Sequence, residues 1–187
     1  EVCLQNLPVV FCMDRGGLAG ADGPTHHGVA DIAYMRVFPR MVLMSPKDGE
    51  ELRQMLEFAA SLDGPCGIRY PRANIPDREE VPHAAIEMGK AEVLREGKDG
   101  AIVGYGHMVY PCLEVAETLA TEGVDLTVVN GRFAKPVDVE LFTRIFAEQP
   151  FVMTVEDHNL AGGFGSAVLE HAQAAGAEVT KLVRLGL

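Results

Sequence analysis

The sequence has no tryptophan, and aromatic residues make up only 6% of its 187 residues. Its core must therefore consist mainly of aliphatic side chains. Basic residues are also scarce, since 16 Lys and Arg stand against 27 Asp and Glu, for a formal net charge of −11. This excess of negative charge argues against binding to nucleic acid or to an anionic membrane. It leaves a small phosphorylated ligand open, because a local pair of arginines can bind a phosphate.

Cysteine pairs and long apolar runs are missing as well. The cysteines Cys3, Cys12, Cys66 and Cys112 form no Cys-x-x-Cys motif, and Cys12 and Cys66 lie in strand-like runs where a buried thiol is expected. This pattern favours a cytoplasmic protein over a disulfide-stabilised one. No apolar run approaches the roughly 20 residues of a membrane span. Because the sequence starts at Glu1 rather than Met, we expect a fragment of a longer protein.

What the sequence contains is a regular alternation of strand-like and helix-like segments. Short apolar runs alternate with stretches whose apolar residues recur at helical spacing, and this order predicts parallel sheets with right-handed crossovers. Between Ala73 and Gly100 the composition changes to prolines and charges, which indicates a surface linker. We therefore predict the α/β class, with two units of mostly parallel sheet joined by a linker.

A glycine-rich loop from Gly20 to Gly28 follows the first strand-like run. It carries Asp22 and His26, and a carboxylate can orient an imidazole that exchanges protons near neutral pH. The alternative is a simple turn in which Asp22 bonds the local backbone and His26 is solvated. No metal site is predicted here, because the adjacent side chains of His26 and His27 diverge and no further ligand lies at metal-binding spacing.

Two arginines, Arg15 and Arg72, each follow the carboxyl end of a strand-like run. Ligands of open parallel sheets bind at that edge, where two guanidinium groups can hold one phosphate or carboxylate. The alternative is a pair of surface arginines in ordinary salt bridges. If the strands within 7–13 and 66–70 are neighbours, both arginines emerge at the same edge.

A second polar turn, from Glu156 to Asn159, lies between a strand-like run and Gly162-Gly163. A strand, a polar turn and a helix N-terminus can together bind an anion. We favour a different interpretation, in which Glu156 and His158 cap the helix and rim an interface between the two units.

Several of these motifs together resemble the 1-deoxy-D-xylulose-5-phosphate synthase family of the transketolase superfamily. The similar segments run through the whole chain and are Gly20-Ala21-Asp22-Gly23-Pro24-Thr25-His26, Ile68-Arg69-Tyr70-Pro71-Arg72, Arg132-Phe133-Ala134-Lys135-Pro136 and Glu156-Asp157-His158 to Gly165. The resemblance implies that residues 1–76 are the later part of a pyrimidine-binding domain. It also implies a linker over 77–97 and a transketolase C-terminal-like domain over 98–187.

The resemblance further implies a transferase that condenses pyruvate with D-glyceraldehyde 3-phosphate, releases carbon dioxide, and serves isoprenoid, thiamine and pyridoxal synthesis. Arg15 and Arg72 would bind the phosphate of the aldehyde. Asp22 and His26 would be catalytic, contacting the substrate beside the cofactor and moving protons. The implied cofactors are thiamine diphosphate and Mg²⁺, with their ligands expected upstream of Glu1, so that the fragment alone would be inactive. The full-length protein would be a homodimer.

Three alternatives remain open. A transketolase shares the Asp-Gly-Pro-Thr-His element but is expected to lack the Tyr-Pro-Arg ending at Arg72. The β subunit of a 2-oxo-acid dehydrogenase has the same order of domains, but is not expected to match the loop from Gly20 to Gly28. A non-catalytic interaction module is the third alternative, and residues upstream of Glu1 that lack the metal motif would support it.

Overall fold

The computed structural model describes residues 1–74, 81 and 83–187, and arranges them around two sheets. The helices are α1 (Val2–Gln5), α2 (Asp31–Met35), α3 (Gly49–Ala60), α4 (Val109–Thr121), α5 (Val139–Glu148) and α6 (Phe164–Ala174). The strands are β1 (Val10–Met13), β2 (Val42–Met44), β3 (Cys66–Arg69), β4 (Glu92–Arg95), β5 (Ala101–Gly104), β6 (Thr127–Asn130), β7 (Phe133–Lys135), β8 (Val152–Val155) and β9 (Leu182–Leu185). The predicted α/β class with mostly parallel sheets is confirmed.

The first sheet has the strand order β1-β3-β2-β7. Strands β1, β3 and β2 are parallel, and β1 pairs with β3 from Val10 opposite Cys66 to Met13 opposite Arg69. The carboxyl ends of these neighbouring strands therefore meet at one edge. Strand β7 comes from much later in the chain and adds to β2 in antiparallel fashion.

The second sheet has the strand order β4-β6-β5-β8-β9, parallel except for the edge strand β4. Strand β4 falls inside residues 77–97, which the sequence analysis assigns to a linker. Residues 77–80 and 82 of the same stretch lie outside the described residues. The exact domain boundaries stay a prediction.

Local sequence explains where the longer helices begin. Asp48 caps α3, because its Oδ1 accepts the backbone N–H of Glu51 at 2.8 Å, as the spacing of these two residues predicts. Asp138 caps α5 in the same way through Leu141 N, at 3.0 Å. The expected burial of Cys12 is wrong: its thiol is exposed, because β1 is an edge strand with one face uncovered.

Between the two units lies a buried cluster of charged and polar side chains: Lys47, Glu51, Glu92, Asn130 and Arg132. Glu51 Oε1 accepts from Arg132 Nε at 2.7 Å and from Asn130 Nδ2 at 2.8 Å. Glu92 Oε2 lies 3.1 Å from Lys47 Nζ and 3.0 Å from an Arg132 Nη2. Two cations and two anions balance each other there, so the cluster joins α3 to the strands of the second unit without a net buried charge.

We predict that Glu51→Gln destabilises the protein by about 3–5 kcal/mol, because it leaves two buried cations with one anion. Glu57→Gln is the matched control on the same helix. Its carboxylate is exposed and pairs only with Arg53 among the described residues, and such surface pairs contribute about 0–1 kcal/mol. Denaturant unfolding followed by circular dichroism measures both, and equal losses of stability for the two variants would contradict the prediction.

Candidate functional site

The segment from Arg15 to Gly28 forms a loop whose two ends are hydrogen-bonded to each other. We call the bonded pair, Gly17 and Gly28, the neck of the loop. Gly17 N donates to Gly28 O at 2.9 Å, and Gly28 N donates back to Gly17 O at 2.9 Å and to Arg15 O at 3.0 Å. Gly17 has a φ of +87°, in the left-handed region that glycine adopts without strain. The glycines of the motif therefore set the shape of the loop that carries Asp22 and His26.

Arg15 and Arg72 emerge at the same edge of the first sheet, and both contact the carboxylate of Asp22. Arg15 Nε donates to Asp22 Oδ2 at 2.7 Å, and Arg72 Nη1 donates to Asp22 Oδ1. The hydrogen bonds from Arg72 and then from Arg15 lower the pKa of Asp22 to about 2. Arg15 also contacts Asp14 at 2.5 Å. The two guanidinium groups thus converge on one anionic group, which is the geometry that a phosphate clamp requires.

His26 is exposed at the outer part of the loop, and no hydrogen bond joins it to Asp22 in the described structure. Its Nδ1 lies 3.3 Å from Thr25 Oγ1. In this arrangement the two carboxylate oxygens of Asp22 accept from Arg15 and Arg72 instead, and the catalytic pairing of Asp22 with His26 stays a prediction. The neighbouring His27 has a structural role, since its Nδ1 accepts the backbone N–H of Ala19 at 3.0 Å.

Arg69, which the sequence analysis did not single out, is hydrogen-bonded to the backbone of the loop at Gly28. Its side chain is 1% exposed. Nε donates to Asp31 Oδ2 at 2.7 Å, and Nη2 donates to the backbone oxygens of Gly28 at 3.0 Å and Asp157 at 3.1 Å. An arginine at the end of an otherwise apolar buried strand was the available signal, because such a charge needs partners.

The polar turn after β8 has the capping and interface role that the sequence analysis favours. The carboxylate of Glu156 accepts the N–H groups of Phe164 at 2.6 Å and Gly165 at 2.8 Å, and burial raises its pKa despite these bonds. The N-terminus of α6, which could otherwise bind an anion, is therefore occupied by the carboxylate of Glu156. His158 is fully buried, and its Nε2 accepts Ile32 N from the first unit at 3.1 Å. That interpretation is confirmed.

Neither a metal centre nor a membrane segment is found in the part of the chain that the structure describes. No group of three or more His, Cys, Asp and Glu side chains there could hold a metal ion. No helix in the same part is both long and apolar enough to cross a membrane.

Comparison with protein families assigns both units. The transketolase pyrimidine-binding domain matches residues 1–78, and the transketolase C-terminal domain matches residues 89–185. The chain is 54% identical over 177 residues to a 1-deoxy-D-xylulose-5-phosphate synthase of Cyanothece sp., covering 92% of this chain and 28% of that protein. It is 48% identical over 187 residues to 1-deoxy-D-xylulose-5-phosphate synthase 1 of Geobacter metallireducens, covering 100% of this chain and 30% of that protein. The chain thus spans less than a third of these curated relatives.

Solved structures give the same assignment. A split-gene transketolase, described as an inactive β4 tetramer, has a TM-score of 0.87 and is 34% identical, covering 99% of this chain and 59% of that one. Transketolase of Campylobacter jejuni has a TM-score of 0.70 at 21% identity, covering 92% of this chain and 30% of that one, and shows the shared fold. With both domain families matched in order along the sequence, the chain belongs to the transketolase family and is similar to its 1-deoxy-D-xylulose-5-phosphate synthases.

Proposed function

We propose that this chain is the aldehyde-binding part of a 1-deoxy-D-xylulose-5-phosphate synthase. The full-length enzyme would condense pyruvate with D-glyceraldehyde 3-phosphate and release carbon dioxide. Relatives about half identical over 92–100% of the chain carry that name, and the contacts of Arg15 and Arg72 with Asp22 support the proposal.

The convergence of Arg15 and Arg72 on Asp22 is the observation that carries this proposal. Two arginines from neighbouring strands hold one carboxylate between them. A phosphate group has the same sign of charge and more acceptor oxygens, so it can replace the carboxylate on both guanidinium groups. We infer that Arg15 and Arg72 bind the phosphate of the aldehyde, while Asp22 moves to contact the substrate.

His26 is the proposed proton carrier. It lies exposed on the loop, within the same run of residues as Asp22. An imidazole at this position can give a proton to the aldehyde oxygen as the new carbon–carbon bond forms. Asp22 and His26 therefore have separate tasks in this proposal: the first contacts the substrate, and the second moves the proton.

The proposal also includes thiamine diphosphate and Mg²⁺, which are cofactors of the family that the chain resembles. Thiamine diphosphate would supply the carbanion chemistry that activates pyruvate. The described residues provide no acidic cluster for the metal, so we propose that its ligands lie elsewhere in the full-length protein. A chain without them would be inactive. We further propose a cytoplasmic homodimer, binding neither nucleic acid nor membrane.

One alternative has a specific observation in its favour. The split-gene transketolase chain matches 99% of this chain, although the match covers only 59% of that one, which supports a transketolase subunit as the second candidate. Product analysis distinguishes the two, because the synthase makes 1-deoxy-D-xylulose 5-phosphate from pyruvate and glyceraldehyde 3-phosphate. A transketolase instead needs a ketose donor and gives no product from pyruvate.

We predict that Arg72→Ala, in the full-length enzyme, raises the KM for glyceraldehyde 3-phosphate about 10–100-fold, because a charge-assisted bond to phosphate contributes about 1.5–3 kcal/mol. The KM for pyruvate should stay nearly unchanged. Arg53→Ala is the matched control, since Arg53 is an exposed arginine of α3 that contacts only Glu50 and Glu57 among the described residues. A rise in both KM values, or in neither, would speak against a phosphate clamp at Arg72.

His26→Ala should act on a different kinetic parameter. Because proton transfer belongs to the transition state, we expect kcat to fall about 10²–10⁴-fold while the KM for the aldehyde changes little. His171→Ala, which removes an imidazole from α6 in the second unit, is the control. Steady-state kinetics of both variants would reject the proton-carrier role if kcat remained at the wild-type value in His26→Ala.

A further inference from the structure

The turn from Asp157 to Asn159 belongs to the second unit but is bonded to both sides of the loop from Arg15 to Gly28. On the leading side, Asp157 Oδ2 accepts the backbone N–H of Leu18 at 3.0 Å. On the trailing side, Asn159 N donates to Val29 O at 3.0 Å. The turn therefore spans the neck of the loop, and its contacts are additional to the bonds that the neck makes within itself.

Asp157 is in closest contact with the neck. A Cβ built on Gly17 would lie 1.8 Å from Asp157 Oδ2, so the carboxylate occupies the space that any side chain at position 17 would need. On its other side, Asp157 Oδ2 lies 3.3 Å from His107 Nε2. Burial alone would raise the pKa of Asp157, but the hydrogen bonds from His107 and Leu18 outweigh it and lower the pKa. The carboxylate is therefore a fixed, ionised acceptor.

Leu18, whose N–H binds this acceptor, is close along the chain to the proposed phosphate site. Leu18 is three residues after Arg15 and four before Asp22. It directly follows Gly17, which forms the neck bonds with Gly28. Leu18 lies on the segment that joins Arg15 to Asp22, so we expect a shift of its backbone to change the spacing between the guanidinium group of Arg15, which follows β1, and that of Arg72, which follows β3. The two groups can share one anion only when this spacing is kept.

We propose that Asp157 is a positioning residue for this loop, and that the second unit thereby takes part in recognising the phosphorylated aldehyde. The inference rests on the proposed phosphate-binding role of Arg15 and Arg72. It assigns the C-terminal domain a part in substrate selection, through the Leu18 N–H rather than by touching the substrate.

The test compares Asp157→Ala and Asp157→Asn in the full-length enzyme, with glyceraldehyde 3-phosphate and unphosphorylated D-glyceraldehyde as alternative acceptors. Asp157→Ala should lower the preference in kcat/KM for the phosphorylated acceptor about tenfold, the size of one hydrogen bond to a charged group. Asp157→Asn keeps an acceptor oxygen for Leu18 N–H, so its preference should stay within about threefold of wild type.

Asp138→Ala is the control for a general loss of stability in the second unit. Asp138 is a buried aspartate that, like Asp157, accepts from the backbone: its carboxylate accepts the N–H groups of Leu141 and Ala91, and it caps α5 rather than the loop. Its replacement should destabilise the second unit, because it removes the N-terminal cap of α5. It should lower activity with both acceptors equally or not at all, leaving their ratio unchanged.

Hydrogen exchange provides a readout that does not depend on activity. Amides of residues 16–28 should exchange faster in Asp157→Ala than in Asp157→Asn or Asp138→Ala, because the neck has lost its external acceptor. An unchanged acceptor ratio together with unchanged exchange in Asp157→Ala would overturn the inference. If the wild-type enzyme makes no 1-deoxy-D-xylulose 5-phosphate, the proposed function fails instead, and the exchange result still decides whether Asp157 holds the loop.

Discussion

The buried guanidinium group of Arg69 is the contact on which the arrangement of the site depends. It lies at the end of β3 and reaches the start of α2 through Asp31, the loop neck through Gly28, and the second unit through the backbone of Asp157. A buried arginine is unfavourable unless its donors are bonded and its charge is paired. These partners come from two separate parts of the chain, residues 28–31 and Asp157, and Arg69 itself comes from a third, so satisfying one side chain fixes all three parts relative to each other.

The same constraint explains why the neck of the loop is rich in glycine. A Cβ on Gly16 would lie 3.2 Å from the guanidinium group of Arg69, and one on Gly17 would overlap Asp157. The backbone must therefore approach both side chains closely, which only glycine permits without displacing them. The buried cluster around Glu51 and Arg132 provides a second connection between the units. These two polar connections hold the two units together, and the loop contacts both units.

Much of the fold follows from local sequence, whereas the polar interior does not. The apolar runs predict most of the described strands and the alternation predicts their parallel order, since both depend on short-range pattern. The short strand β7 escapes detection because its pairing with β2 joins residues far apart in sequence. The meeting of Arg15 and Arg72 was predictable, because parallel neighbours end at one edge. The anion that lies between them was not predictable. Asp22 pairs with two charged arginines rather than with His26, since bonds between opposite charges are the stronger ones.

We propose above all that Arg15 and Arg72 together recognise the phosphate of the aldehyde. Its most direct test is the double variant Arg15→Ala/Arg72→Ala in the full-length enzyme, with the ratio of kcat/KM for glyceraldehyde 3-phosphate to that for D-glyceraldehyde as the measured quantity. If both guanidinium groups bind the phosphate, the ratio should fall by about 100-fold or more, while activity with unphosphorylated D-glyceraldehyde is largely kept. A double variant that still prefers the phosphorylated aldehyde as strongly as the wild type would contradict the account.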